Sequence, residues 1–222
     1  MKRVRFLLVP FMLLLTACDS RPQSEPAMTP REPSKSEQTA PAENVWTSKV
    51  KINTPDGQRL MEIKWNAEKI KVEVGVEGNP TALKGELRDN GKRKYSIEGG
   101  APIAEVKGDS SGFKLRAGEG TLLWKVKFAG DKIKISNNEE NRNPYEIHIK
   151  GDDVRVEENG VDLGEVKFYP DRNRVKVKRG PDFEIAQSNT PVRSVAFALL
   201  LMERISPPEQ AVIIAELLAR GK

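Results

Sequence analysis

The chain has 222 residues, 31% of them charged and 37% hydrophobic, with one Cys and one His. The length suits one domain of about 150 residues or two small ones, and the composition excludes both a polytopic membrane protein and disorder along the whole chain. A single Cys and a single His exclude an internal disulfide framework, a Cys/His zinc cluster and any catalytic plan needing two histidines.

Lys2, Arg3 and Arg5 form a basic leader, followed by an apolar run from Phe6 to Leu15 and then Thr16-Ala17-Cys18. As a helix the run spans about 15–18 Å, short of the ~30 Å hydrocarbon core. Residues 1–17 therefore read as a cleaved signal rather than a permanent span. Leu15-Thr16-Ala17-Cys18 resembles the lipobox of bacterial lipoproteins; the plainer alternative is a secretory signal with an incidental Cys. The resemblance implies a diacylglyceryl group on the sulfur of Cys18 and an N-acyl chain, of the palmitate kind, on its new amine. It implies no other cofactor, and a protein anchored in the cell envelope and facing the periplasm. Asp19 resembles the enterobacterial signal for retention in the inner membrane, with the outer membrane as the other destination. Loss of the signal removes three of the 37 basic residues and no acidic ones. That leaves 34 against 32 acidic residues, a net charge of +2, and a nucleic-acid partner loses its electrostatic argument.

Residues 19–44 hold five Pro, four Ser and four Glu, with Met28 their only large apolar side chain. Such a segment cannot offset the entropy of ordering. Together with Cys18 it reads as a lipidated tether, 18–44, reaching roughly 25–30 Å as a coil and up to about 80 Å if extended. It lacks the flanking residues of a proline-rich recognition motif.

From residue 45 onward apolar and charged residues alternate with period two. Ile70/Val72/Val74, Phe113/Leu115, Ile133/Ile135, Tyr145/Ile147/Ile149, Val154/Val156 and Val175/Val177 are separated by Lys, Arg, Glu and His148. Each strand then has one apolar and one charged face, as in an antiparallel sheet that is wet on one side. Turn signals fall at Pro55-Asp56-Gly57, Asp89-Asn90-Gly91, Asp109 to Gly112, Asn159-Gly160 and Pro170-Asp171. KYSIEGGAPIAEVKG, FKLRAGEGTLLWKVKF and VRVEENGVDLGEVKFY read as three copies of one hairpin. The whole predicts a meander of about ten to twelve strands.

Thr190 and Pro191 read as the N-cap and first residue of a helix over 191–205 that is apolar on all sides, as in a core or a membrane, and its length of about 21 Å favours the core. Phe197, Leu199 and Leu200 are its expected buried side chains. Ser206-Pro207-Pro208-Glu209 reads as a capping box opening a second helix, 207–220, amphipathic and lying on a surface. The predicted fold class is mainly β: an antiparallel meander closing into a barrel around the hydrophobic C-terminal helix, with one further amphipathic helix, all within a domain at 45–222. The hairpins and the segment VAFALLLMERI look like the tubby-like barrel group, which includes LURP-one-related proteins and phospholipid scramblases. The resemblance covers roughly residues 57–205 and implies twelve strands around a C-terminal helix. The chain lacks a cysteine-rich stretch and a calcium loop, so scramblase activity is not carried over.

No catalytic or metal-site motif is present. His148 reads as an outward strand residue, and Trp46, Trp65 and Trp124 as core or strand aromatics. Residues 138–165 carry nine acidic and three basic residues, whereas 167–179 carry six basic and one acidic. The bland reading pairs these strands across their outer faces. The functional one is a stripe of Lys167, Arg172, Arg174, Lys176, Lys178 and Arg179 meeting an anionic surface. The expected function is a lipid-anchored, non-catalytic envelope lipoprotein acting as a binding or scaffold module. Its expected partners are the bacterial membrane and an envelope protein or lipid. The alternative is a lipid-handling protein that uses the barrel interior.

Overall fold

The period-two alternation builds a closed wall. A computed structural model describes residues 46–75 and 80–222; the expected signal, Cys18 and the tether lie outside them. Among the described residues fourteen strands run in chain order: β1 (Ser48–Asn53), β2 (Arg59–Trp65), β3 (Lys69–Val74), β4 (Thr81–Leu87), β5 (Arg93–Ile97), β6 (Pro102–Asp109) and β7 (Gly112–Ala117), then β8 (Leu122–Ala129), β9 (Lys132–Ser136), β10 (Tyr145–Lys150), β11 (Asp153–Glu158), β12 (Val161–Tyr169), β13 (Arg174–Arg179) and β14 (Phe183–Asn189). Each pairs antiparallel with its neighbours in sequence, and β1 pairs with β14 to close the barrel. Fourteen strands replace the ten to twelve expected. The three hairpin copies are β5–β6, β7–β8 and β11–β12. The last turns on Asn159 and Gly160, both at positive φ (52° and 78°), as a two-residue hairpin of this twist requires.

The predicted apolar sets point inward and are buried, among them Phe113, Leu115, Ile133, Ile135, Ile147, Val154, Val156, Val175 and Val177. Ile149 and Val74 are only half-buried. An eight-stranded barrel is roughly filled by its own side chains. One of fourteen strands leaves a lumen that needs a filler.

The filler is a helical hairpin, and here the structure corrects the sequence reading. The predicted helix 191–205 is a 3₁₀ segment, Val195–Leu201, capped by Ser194, whose hydroxyl accepts the Ala196 N–H (3.1 Å). Thr190 and Pro191 precede it. Ser206 sits before two prolines and is therefore extended (φ −62°, ψ 149°), so the chain reverses over Met202–Ile205 instead of continuing a helix. Phe197 and Leu199 are buried as expected, but Leu200 is half-buried, because three residues per turn distribute side chains differently from 3.6.

The second correction is larger. Helix α1 (Pro207–Ala219) opens on the predicted capping box of Ser206 and Glu209, yet Ala211 to Leu218 are all buried. It is a core helix rather than a surface one. Its polar side chains find partners inside: Glu209 accepts the Trp124 indole N–H (2.9 Å), and Gln210 donates to the Met202 carbonyl (2.8 Å).

The chain leaves β14, crosses the lumen as the 3₁₀ segment, turns at the far end of the barrel and returns as α1. Seven 3₁₀ residues rise about 14 Å and thirteen α residues about 20 Å, comparable to strands of five to nine residues at roughly 3.3 Å each. Ion pairs fasten both ends. Arg193 reaches Asp152 (2.7 Å) where the hairpin enters, and Glu203 and Arg204 reach Arg179 (2.6 Å) and Glu158 (2.5 Å) at its turn.

Candidate functional site

Of the predicted site residues, Cys18 lies outside the described residues. The stripe faces outward on β12 and β13, with Arg172 exposed on the 3₁₀ turn Pro170–Arg172 between them. Most of its charges are engaged. Lys167 lies 3.0 Å from Glu165, Lys176 lies 2.5 Å from Glu184, and Arg174 donates to Gln187 (2.5 Å). Arg179 reaches Glu203, and Lys178 donates to the Pro181 carbonyl (3.3 Å). The acidic stretch contributes Asp153 opposite Lys167 and Glu165 opposite Lys178. The closest partner of Lys176, however, is Glu184 of β14, outside that stretch.

His148 faces outward on β10 between two carboxylates, its Nε2 3.5 Å from Glu146 and 3.6 Å from Glu157. Trp124 is buried on β8, while Trp65 and Trp46 are half-buried. Among the described residues no group of three or more His, Cys, Asp or Glu is placed to hold a metal ion.

A different wall stands out. Lys107, Lys114 and Lys125 lie directly opposite one another on β6, β7 and β8. Lys127 follows on β8, opposite Lys134 of β9. Like charges abreast destabilise a sheet by a few tenths of a kcal/mol or more per pair. Lys107, Lys114, Lys125 and Lys127 line a depression of about 500 Å³ together with Arg116, Asp109 and Ser111, floored by Gly108, Gly112, Phe113 and Val126. The floor needs glycine. A Cβ on Gly108 would strike the Gly112 carbonyl oxygen, and one on Gly112, at φ +150°, would strike that of Val126.

One carboxylate neutralises part of this wall. Glu139, in the loop between β9 and β10, takes Lys114 on one oxygen and Arg116 on the other, each at 2.7 Å. Its backbone carbonyl accepts from Lys125 (2.5 Å). The hydrogen bond from Lys114 leads the effects that hold the Glu139 carboxyl below its ordinary range. Lys107 and Lys127 make no ion pair among the described residues. Sequence reading missed this wall because no basic run marks it. The signal was the turn at Asp109–Gly112: its centre fixes which lysine of β6 meets which lysine of β7.

Two further features border α1 inside the barrel. An apolar cleft of about 260 Å³ opens at the far end between α1 and the wall, where Leu83, Ile103, Leu115 and Leu123 face Pro208 and Val212. Glu216 of α1, 2% exposed, accepts a hydrogen bond from Tyr95 (2.9 Å). Its other oxygen takes Arg220 Nε (3.1 Å), and Arg93 Nε sits 3.0 Å away, off the hydrogen-bond angle. Burial, then the Glu216 carboxylate, push the Tyr95 phenol well above its usual range. This cluster anchors the helix.

No protein family, curated protein or solved structure matches the chain.

Proposed function

We propose that this chain is a lipid-anchored lipoprotein of the bacterial cell envelope, a non-catalytic binding or scaffold module carried on a tether from Cys18. The observation that carries the binding-module reading is the filled lumen. With residues 195–219 occupying the barrel, the outer wall is the surface left for a partner. The leader, the apolar run and Leu15-Thr16-Ala17-Cys18 support the anchor. The alternative, lipid held inside the barrel, calls for an apolar cavity above about 300 Å³. A cleft of about 260 Å³ at one mouth gives it less support than the filled lumen gives the first reading. A barrel around C-terminal helical segments is in keeping with the tubby-like resemblance, with fourteen strands for twelve; we carry no scramblase activity over from it.

The test is replacement of Cys18 by Ser. The natural chain should incorporate labelled palmitate and resist alkaline extraction from membranes. The variant should do neither, since three acyl chains anchor effectively for good and none does not. A variant that remains acylated and tightly bound would sink the proposal. Density separation of inner and outer membranes then tests the inner-membrane retention suggested by Asp19.

A further inference from the structure

We propose that Lys114, Arg116 and Lys125 form a binding site for a phosphate-class oxyanion, and that the carboxylate of Glu139 is its internal stand-in. Each oxygen of Glu139 has its own cation at 2.7 Å, and Lys125 closes on the adjacent carbonyl at 2.5 Å. Two donors set on two oxygens of one planar or tetrahedral anion is the arrangement that recognises carboxylate and phosphate alike. Phosphate carries more charge and a third acceptor oxygen for Lys125, so it complements this trio better than a carboxylate does.

The stand-in can leave cheaply. Its side chain is 44% exposed, and the loop that carries it is held by other bonds. Asn138 accepts the Arg142 N–H (2.7 Å) and donates to the Arg142 carbonyl (2.8 Å), while Ser136 donates to Asn141 (2.7 Å). The neighbouring carboxylate, Asp109, is turned into its own hairpin by Ser111 (2.6 and 2.7 Å). The depression of about 500 Å³ alongside has room for the rest of a phosphate ester, and Lys107 and Lys127, without an ion pair among the described residues, stand at its rim. Three lysines abreast are a cost to the sheet that a bound anion offsets.

This deepens the binding-module reading by naming a ligand chemistry, and it rests on that reading. The measurement does not depend on anchoring, however, so its failure leaves the Cys18 result standing. Full-length protein in a neutral detergent is titrated calorimetrically, at constant ionic strength, with inorganic phosphate, dihexanoyl phosphatidylglycerol and dihexanoyl phosphatidylcholine. Phosphate or phosphatidylglycerol should bind and phosphatidylcholine should not.

Glu139→Gln should tighten binding about fivefold, the gain expected if the site stands open roughly a fifth of the time. Arg116→Gln in that background should abolish the gain. Glu98→Gln makes the same charge change on another wall, where Glu98 pairs with Lys84 at 2.7 Å and is equally exposed; it should leave affinity within about twofold. Tighter binding of phosphatidylglycerol than of phosphate would support the site with a headgroup as source, and parity would support it with free phosphate. No binding of either anion overturns the proposal. So does an equal gain from Glu98→Gln, or a gain that survives Arg116→Gln.

Discussion

Glu62 faces outward on β2 and is still only 5% exposed, because cations cover it from every side. Lys64 lies 2.8 Å away, Lys49 3.0 Å, Lys51 3.7 Å and Arg59 3.8 Å. The register explains the crowding: Lys49, Lys64, Lys71 and Lys84 stand abreast on β1 to β4, and Glu62 sits in the next row. Burial alone would raise its pKa, but hydrogen bonds from Lys64 and Lys49 outweigh it and hold the carboxyl at about 2. The folded value lies below the ordinary 4.5. The ionised group therefore contributes its full stability above about pH 4.5, and that contribution is lost as the pH falls towards 2. In Glu62→Gln, melting temperatures should be lower at pH 7, where Lys49, Lys51 and Lys64 then lose their counter-charge, and should fall less steeply between pH 4.5 and 2. Parallel curves for the two proteins would show that Glu62 carries no such linkage. Alternation made its outward position legible in the sequence. Its burial was not, since that depends on which strands lie either side.

At the scale of elements, the two helical segments show where local pattern runs out. Apart from Leu200 the apolar run 195–202 is buried as its composition demands, but Pro207 and Pro208 fix where it must end, and the stretch before them becomes a turn. α1 departs from the surface position expected of it for a different reason. Glu209, Gln210 and Glu216 look like the wet face of an amphipathic helix, and two of them find partners far away in sequence, Trp124 and Tyr95. Tyr95 in turn fits only because Gly85 stands opposite it on β4; a Cβ there would come within 2.6 Å of the ring. Such long-range satisfaction leaves no trace in spacing. It makes a sharp expectation: Ala215→Glu, on the side opposite Ile213 and Leu217 that a surface helix would expose, should cost about 3 kcal/mol or more in denaturant unfolding by burying an unpaired charge, and Leu199→Ala about 2–5 kcal/mol. A loss below about 0.5 kcal/mol at Ala215 would return α1 to the surface. Removing residues 190–222 should abolish cooperative unfolding, because the fourteen-stranded wall would then enclose an empty lumen.

For the whole molecule, the question is where a barrel made of consecutive hairpins is weakest. Thirteen neighbouring pairs are joined by short connections and hold at least four residues in register. The closing pair, β1 with β14, sets only Asn53 opposite Gln187. Side chains supplement it. Ser188 donates to the Lys51 carbonyl (2.5 Å), and Gln187 donates to those of Thr54 (3.2 Å) and Pro55 (2.9 Å). β14 also carries a weak alternation signal in the sequence, since its inward positions are Ala186 and Ser188 rather than large apolar residues. A strand with little to bury and few ladder bonds opens at a lower free energy than its neighbours. Seam-facing amides of β1 and β14 should therefore exchange with deuterium before those of β6 to β8. Gln187→Ala, which removes the two hydrogen bonds across the seam and the one from Arg174 of β13, each worth roughly 1 kcal/mol, should speed that exchange severalfold while leaving β6 to β8 unchanged. Uniform protection around the barrel, or equal acceleration everywhere in the variant, would mean the wall opens as one unit with no seam.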